Sequence, residues 1–300
     1  LAGFDLASSL VDYASVRSDV RLSRMMHLRI GGTADWLVEP FDEQGVAATV
    51  RICRERGLEL RTLGGGSNIV VADAGVRGVV MHLGNLNRVQ REGERVTVGA
   101  GVTMASLLRS TRQAGLAGLE KLTGIPAEVG GAVAMNAGTR DGETFEHLAS
   151  LTVVEADGRL GIRSRGDFAP RYRDGRLGGA IVVQATFELR EDDPDAIFAR
   201  FSASLQQRNA SQPVSQRSVG CVFQNPEGDA AGRLIQEAGC KEVSLNGVQV
   251  SSKHANYFVN DGTGTAADFT ALMDDVRRRV FDAFGVELRA EVKFWGFDDR

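Results

Sequence analysis

Two glycine-rich stretches carry the chemistry that residue type and spacing alone suggest. The first is LGGGSNIVV, residues 63–71. An apolar run feeds Gly64, Gly65 and Gly66, then Ser67 and Asn68, then a second apolar run. Residues without side chains let successive N–H groups turn toward one anion, and the Ser and Asn side chains add donors. The second is GIPAEVGGAVAMNAG, residues 124–138, where Gly130, Gly131, Asn136 and Gly138 fall among small alanines. Such a segment can lie flat against a planar ring or a pyrophosphate. A plain hairpin loop and a tightly packed turn are the competing readings of each stretch alone; two in one chain, both after strands, weigh against them. The first is not a P-loop, because no Lys-Ser or Lys-Thr follows, and it lacks the Rossmann spacing and a following helix start.

The surrounding pattern says which elements must hold these loops. Residues 1–26 read as a short helical entry segment. Asp42 caps a helix running to about Arg56, with Gly57 as its stop. Strands are expected at 58–63, 79–83, 96–99, 151–155, 181–189, 248–250 and 257–260, from their β-branched and apolar content. Further helices are expected at 104–114, 194–208, 231–238 and 266–283, the last opened by a Thr265/Asp268 capping box. The 124–138 stretch has neither period and reads as irregular backbone, and Asp157-Gly158 is a hairpin turn. Short strands and helices without strict βαβ alternation predict α+β domains, with a boundary at the EDDPD run, residues 191–195.

Composition narrows the class. A chain of 300 residues suffices for two or three domains with sizeable cores. The net charge of −4 argues against a nucleic-acid scaffold, though local arginines can still receive an anion. Cys53, Cys221 and Cys240 are too few and too scattered for a disulfide framework or zinc site, and no His or Cys partners His254 at ligand spacing, so no metal is expected. A cytoplasmic setting is expected, with no secretory signal and no membrane span.

The two loops, together with HLRIGGTADWLVEP at 27–40, resemble the UDP-N-acetylmuramate dehydrogenase (UDP-N-acetylenolpyruvoylglucosamine reductase) family, from about residue 21 to 296. The resemblance implies an FAD-binding fold of the vanillyl-alcohol-oxidase (PCMH) type in residues 1–192, in two subdomains of about 1–75 and 76–192. A C-terminal α+β substrate domain would follow in 193–300. It implies non-covalent FAD held by Leu63, Gly64, Gly65, Gly66, Ser67 and Asn68 of the first loop. Gly124, Ile125, Pro126, Val129, Gly130, Gly131, Met135, Asn136, Ala137 and Gly138 of the second loop would complete the cofactor site. NADPH would be the co-substrate and UDP-N-acetylglucosamine enolpyruvate the substrate. The product would be UDP-N-acetylmuramate, a peptidoglycan precursor, and the enzyme a monomer.

Further motifs follow in the family's order: RYRDGRLGG at 171–179, GCVFQNP at 220–226, AAGRLIQEAG at 230–239, VSSKHANYFVN at 250–260 and LRAEVKFWG at 288–296. The resemblance makes Arg173, Cys221 and Glu291 the catalytic set. Hydride addition to the terminal carbon of an enolpyruvyl group pushes charge toward the adjacent carboxylate. A fixed guanidinium stabilises that charge. A thiol, with an ordinary pKa of about 8.5, is protonated at neutral pH and yields its proton more readily than serine. Glu291 either hydrogen-bonds the developing enolate or orients Arg173 or a water. Tyr172, Asn225, Arg233, Lys253, His254 and Asn256 are expected to bind substrate or brace the site, with a structural salt bridge the alternative for Arg233.

The chain departs from the pattern in places. Most relatives carry serine at the Cys221 position, Gln224 stands where lysine is frequent, and threonine is common at His27. Glu128 sits where a small neutral residue is usual, and is expected to point outward, away from a pyrophosphate. The short interval from Arg173 to Cys221 resembles the compact subclass without an extra tyrosine loop. Two other readings stay open: another FAD-dependent oxidoreductase of this fold, and a non-catalytic flavin-nucleotide-binding protein.

Overall fold

The computed structural model describes residues 5–297. Alternating apolar residues build its sheets and capped amphipathic segments its helices, and the chain divides into two compact units. The first holds residues 1–19, 35–65 and 78–206; the second holds 20–34, 66–77 and 207–300. The second unit is therefore assembled from three separate stretches of sequence. Among the described residues no helix is long and apolar enough to cross a membrane, and no group of three or more His, Cys, Asp or Glu could hold a metal ion.

In the first unit, one sheet has the strand order Ala14–Arg21, Thr33–Pro40, Val76–His82, Leu60–Leu63. Leu60–Leu63 runs parallel to Val76–His82, with Leu63 opposite His82. The helix Glu43–Arg56 starts where Asp42 accepts a hydrogen bond from the Gly45 N–H at 2.9 Å and stops at Gly57, in left-handed geometry at φ 63°. Both ends are as predicted. A second, antiparallel sheet has the order Leu160–Ser164, Leu148–Val154, Ile181–Glu188, Arg95–Gly99, Val89–Glu92. Its apolar face packs on Met104–Gln113 and Val129–Ala134 through Val98, Leu107, Val133, Leu151 and Phe187.

Two local expectations are corrected. Residues 5–26 are mostly not helical: one α-helical turn, Leu6–Ser9, precedes the strand Ala14–Arg21, and a 3-10 turn, Leu22–Arg24, follows it. That strand is exposed along most of its length and takes its form from pairing at the sheet edge, so its own burial pattern gives little period to read. Conversely, part of 124–138 is helical, at Val129–Ala134. Its glycines lower intrinsic helicity, but Val129 and Gly130 N–H groups are held by the Val102 and Ala100 carbonyls at 2.8 and 2.9 Å. Tertiary anchoring at the first residues offsets the weak propensity.

The second unit has a four-stranded antiparallel sheet, Arg217–Cys221, Tyr257–Asn260, Val248–Val250, Ser244–Leu245. A parallel pair joins Lys293–Trp295 to Ile69–Val71. The helices Ala231–Glu237 and Ala266–Phe284 share a core with them through Val70, Phe223, Leu234, Phe258, Phe269 and Val276. The predicted capping box is present: the Thr265 hydroxyl accepts from the Asp268 N–H at 3.1 Å, and Asp268 accepts from the Thr265 N–H at 2.9 Å.

Candidate functional site

Gly64 and Gly65 of the first glycine stretch meet the second stretch within the first unit. Leu63 ends its strand fully buried, and Gly64 lies so close to Gly131 that a methyl on Gly64 would stand 3.6 Å from the Gly131 Cα. A methyl on Gly130 would press to 2.9 Å from the Ala100 side chain, whereas one on Gly131 would meet nothing. Backbone thus forms both walls of a cleft lined by Leu63, Gly64, Gly130, Gly131 and Ala134, with Ala180–Val182 beside them. A cleft walled by glycine backbone fits an extended dinucleotide or a flat ring, which needs close approach without side chains.

Glu128 also lines this cleft, and its side chain is only 12% exposed. The outward orientation expected from sequence is therefore corrected: the carboxylate turns to His82, Oε1 to Nε2 at 3.3 Å. The hydrogen bond to Glu128 raises the His82 pKa against the opposing effect of burial, and a partner that gains charge makes that burial tolerable. Neither His82 nor its second neighbour Glu39 stands out in the sequence, because the histidine lies 46 residues from Glu128.

Two braces tie the second glycine loop to the arginine turn. Arg171 and Asp174 exchange backbone hydrogen bonds at 2.7 and 3.0 Å, so Tyr172 and Arg173 form the tip of a tight hairpin. Arg173 sits in left-handed geometry, φ 58°, with its guanidinium 4.6 Å from the centre of the Tyr172 ring. A β-carbon in that region is strained by about 1 kcal/mol or more, a pattern that gathers at functional turns. Asn136, fully buried, donates to the Arg171 carbonyl at 3.2 Å and to Glu143 Oε2 at 2.6 Å, and accepts from the Phe145 N–H at 3.3 Å. Gly175 donates to the Ala134 carbonyl at 2.9 Å, and a methyl there would meet the Val133 carbonyl at 2.4 Å. All three side-chain hydrogen bonds of Asn136 go to protein groups. Gly124 and Pro126 are exposed, Val129 is fully buried, and Ile125, Met135, Ala137 and Gly138 are half-buried.

The second unit brings Cys221, Tyr257 and Glu291 together. Cys221 ends its strand directly opposite Tyr257, past a register shift that re-aims the side chain. Glu291 donates its N–H to the Val222 carbonyl at 2.8 Å. Burial, then Cys221, with Arg208 opposing and Glu291 reinforcing, push the Tyr257 phenol well above its ordinary value. Tyr257 thus stays a neutral hydroxyl, donating to Gln212 Oε1 at 2.9 Å. Sequence reading missed Tyr257; its strand position opposite a cysteine is the signal that finds it. Gly66, Ser67 and Asn68 belong to this unit. Asn68 donates its amide to the Glu291 carbonyl at 3.2 Å and accepts from the Lys293 N–H at 2.9 Å.

The remaining predicted residues mostly serve as supports here. Asn256, buried, accepts from the Phe223 N–H at 2.9 Å and donates to the Phe223 carbonyl at 2.7 Å, fixing the chain just past Cys221. Asn225 accepts from the Ala231 N–H at 3.1 Å, at the start of Ala231–Glu237. Arg233 is gripped by Asp229 and Glu237, which hold its guanidinium charged. The His254 ring lies 4.9 Å from that of Tyr257, and burial holds its pKa below the ordinary value. Lys253 reaches the Asn209 carbonyl.

Comparisons with known proteins identify the family. The model of the UDP-N-acetylenolpyruvoylglucosamine reductase C-terminal domain matches residues 212–295, and that of an FAD binding domain matches 34–161. The chain is 42% identical over 294 residues to UDP-N-acetylenolpyruvoylglucosamine reductase 2 of Symbiobacterium thermophilum, covering 97% of this chain and 96% of that one. The crystal structure of UDP-N-acetylenolpyruvylglucosamine reductase from Thermus caldophilus superimposes with TM-score 0.83 at 34% identity, over 94% of this chain and all of that one. Berberine bridge enzyme from Eschscholzia californica, at TM-score 0.51 and 19% identity over 63% of this chain and 44% of its own, shows the fold alone. The fold is the FAD-binding one of the vanillyl-alcohol-oxidase (PCMH) type. With glycine loops, C-terminal unit and nearly the whole length matched, this chain belongs to the UDP-N-acetylenolpyruvoylglucosamine reductase family.

Proposed function

We propose that the protein binds FAD non-covalently on its two glycine loops and, with NADPH as reductant, reduces UDP-N-acetylglucosamine enolpyruvate to UDP-N-acetylmuramate for peptidoglycan synthesis. Residues 1–192 form the cofactor region in this reading and 193–300 the substrate region. FAD, when bound, supplies the hydride chemistry. The glycine walls at Gly64, Gly130 and Gly131 admit it closely, and Asn68 and Asn136 hold the loops in shape.

The observation that carries the reading is the packing of Cys221 against Tyr257 beside Glu291. Cys221 Sγ delivers a proton to the substrate carbon next to the carboxylate. Tyr257, locked neutral, fixes the thiol from the facing strand. Arg173 stabilises charge gathering on the substrate carboxylate without itself losing a proton. Glu291 hydrogen-bonds or orients groups at that same carboxylate. Tyr172, Asn225, Arg233, Lys253, His254 and Asn256 contribute substrate contacts or support. The acidic balance, 39 Asp and Glu against 35 Lys and Arg, supports a protein that leaves nucleic acid alone. We infer a cytoplasmic monomer that does not use a membrane.

The test is direct. The purified protein should be yellow, release its flavin on acid precipitation, and oxidise NADPH in proportion to added UDP-N-acetylglucosamine enolpyruvate. Colour retained on the precipitated protein would favour a covalent oxidase instead. Flavin bound without turnover of the enol ether would favour a binding protein.

A further inference from the structure

The cleft between the glycine loops contains a contradiction. Glu128 is the one ionisable residue among those lining it, yet an FAD site must receive a pyrophosphate carrying negative charge. A carboxylate with nothing to cancel it would repel that group over several ångströms. One of its oxygens, Oε2, is buried and has no hydrogen-bond partner.

The other oxygen faces His82, which stands at the end of Val76–His82 opposite Leu63 of the first glycine loop. His82 is itself mostly buried, at 19% side-chain exposure, and lies between two carboxylates. Nε2 is 3.3 Å from Glu128 Oε1, and Nδ1 is 3.5 Å from Glu39 Oε1. Nδ1 is buried and makes no hydrogen bond, so Glu39 acts on the ring through its charge at 3.5 Å, and a protonated ring is the state both carboxylates favour. Glu39 has a further cation, since its other oxygen takes Arg17 at 2.8 Å. Among the described residues, Glu128 pairs with no cation besides His82. The charged groups around the imidazole are therefore Glu39 on one strand, with Arg17 behind it, and Glu128 on the loop entering Val129–Ala134. Both carboxylates act in one direction, holding the imidazole pKa above its ordinary value against the opposing effect of burial.

We propose that His82 is a charge-compensating, positioning residue: held as an imidazolium between Glu39 and Glu128, it cancels the carboxylate that Glu128 places in the glycine-walled cleft and so lets that cleft accept an anionic dinucleotide. This rests on the FAD reading above. It gives cofactor affinity a pH dependence of defined sign. Below about pH 6.5, the ordinary histidine value, the ring is charged and affinity is flat. As pH rises through the raised pKa of His82, the proton leaves, Glu128 stands uncompensated, and flavin is lost.

The experiment is release of FAD from the holoenzyme by dilution and ultrafiltration between pH 6 and 9.5, with free flavin read by fluorescence. Four proteins are compared: wild type, Glu128→Gln, His82→Gln and the double variant. The wild type should bind roughly tenfold or more weakly at the alkaline end, while Glu128→Gln should hold FAD with little change across the range. His82→Gln should bind weakly already at pH 6, and adding Glu128→Gln to it should restore binding, a rescue that loss of packing alone would not produce. Equal pH profiles for wild type and Glu128→Gln would overturn the role of His82, even if the His82 variant fails to fold. Absence of flavin from the wild type at pH 6 would overturn the cofactor reading as well.

Discussion

Asn136 gives the most demanding prediction, because three hydrogen bonds and an unusual backbone angle meet in one fully buried side chain. Asn136→Ala removes the donor to Glu143 Oε2 at 2.6 Å, the donor to the Arg171 carbonyl at 3.2 Å and the acceptor for the Phe145 N–H at 3.3 Å. The two neutral bonds are worth about 1 kcal/mol each and the charge-assisted one about 2. Alanine also tolerates φ 41° less well than asparagine, at about 1 kcal/mol. Allowing water to reach half-buried Glu143, the expected loss is about 4 kcal/mol. For a unit of this size that lowers the melting temperature by about 10 °C. Asn136→Gly should recover about 1 kcal/mol of it, since glycine removes only the backbone strain. Calorimetric scans of the three proteins, with the transition followed by far-UV circular dichroism, read both effects. A shift under 2 °C for Asn136→Ala would refute the bracing role, and so the mechanical link between the second glycine loop and the arginine turn.

Other outcomes follow from the same geometry. Arg173→Gly should change stability by less than about 1 kcal/mol, because relief of left-handed strain offsets the lost stacking on Tyr172; turnover of the enol ether should fall steeply while NADPH oxidation by the bound flavin persists, as stopped-flow absorbance of the two half-reactions would show. Thr265→Ala should cost about 1 kcal/mol in urea unfolding through loss of the capping box, with turnover unchanged. The raised pKa of His82 makes a signed contribution to folding stability: fully present below the unfolded value of about 6.5 and lost as pH rises through the folded one. Glu128→Gln should flatten that part of the stability profile in pH-stepped denaturation.

Much of the architecture is legible in the chain itself. Asp42 and Gly57, Thr265 and Asp268, and the β-branched runs at 181–188 and 257–260 announce their elements because caps and alternation are local signals. The strand Ala14–Arg21 is not legible, since its form is imposed by a neighbouring strand, and neither is Val129–Ala134, held by carbonyls of residues 100 and 102. The composite second unit is hidden for the same reason: residues 20–34 and 66–77 join it through pairings such as Val70 with Phe294. In the site, glycine spacing reveals where backbone must come close. Which polar side chains turn inward is decided by distant partners: Phe223 for Asn256, 33 positions away, and His82 for Glu128. Charge at Glu128 alone argues for solvent; only the imidazole makes burial the better arrangement.

The most direct test concerns the thiol. Cys221→Ala enzyme, reduced with one equivalent of NADPH under anaerobic conditions, should lose its flavin absorbance as fast as wild type. On mixing with UDP-N-acetylglucosamine enolpyruvate, its colour should return about a hundredfold more slowly or worse, and Cys221→Ser should restore much of that rate. Recovery of colour at the wild-type rate in the alanine variant would contradict the assignment of the proton donor and the chemistry built on it.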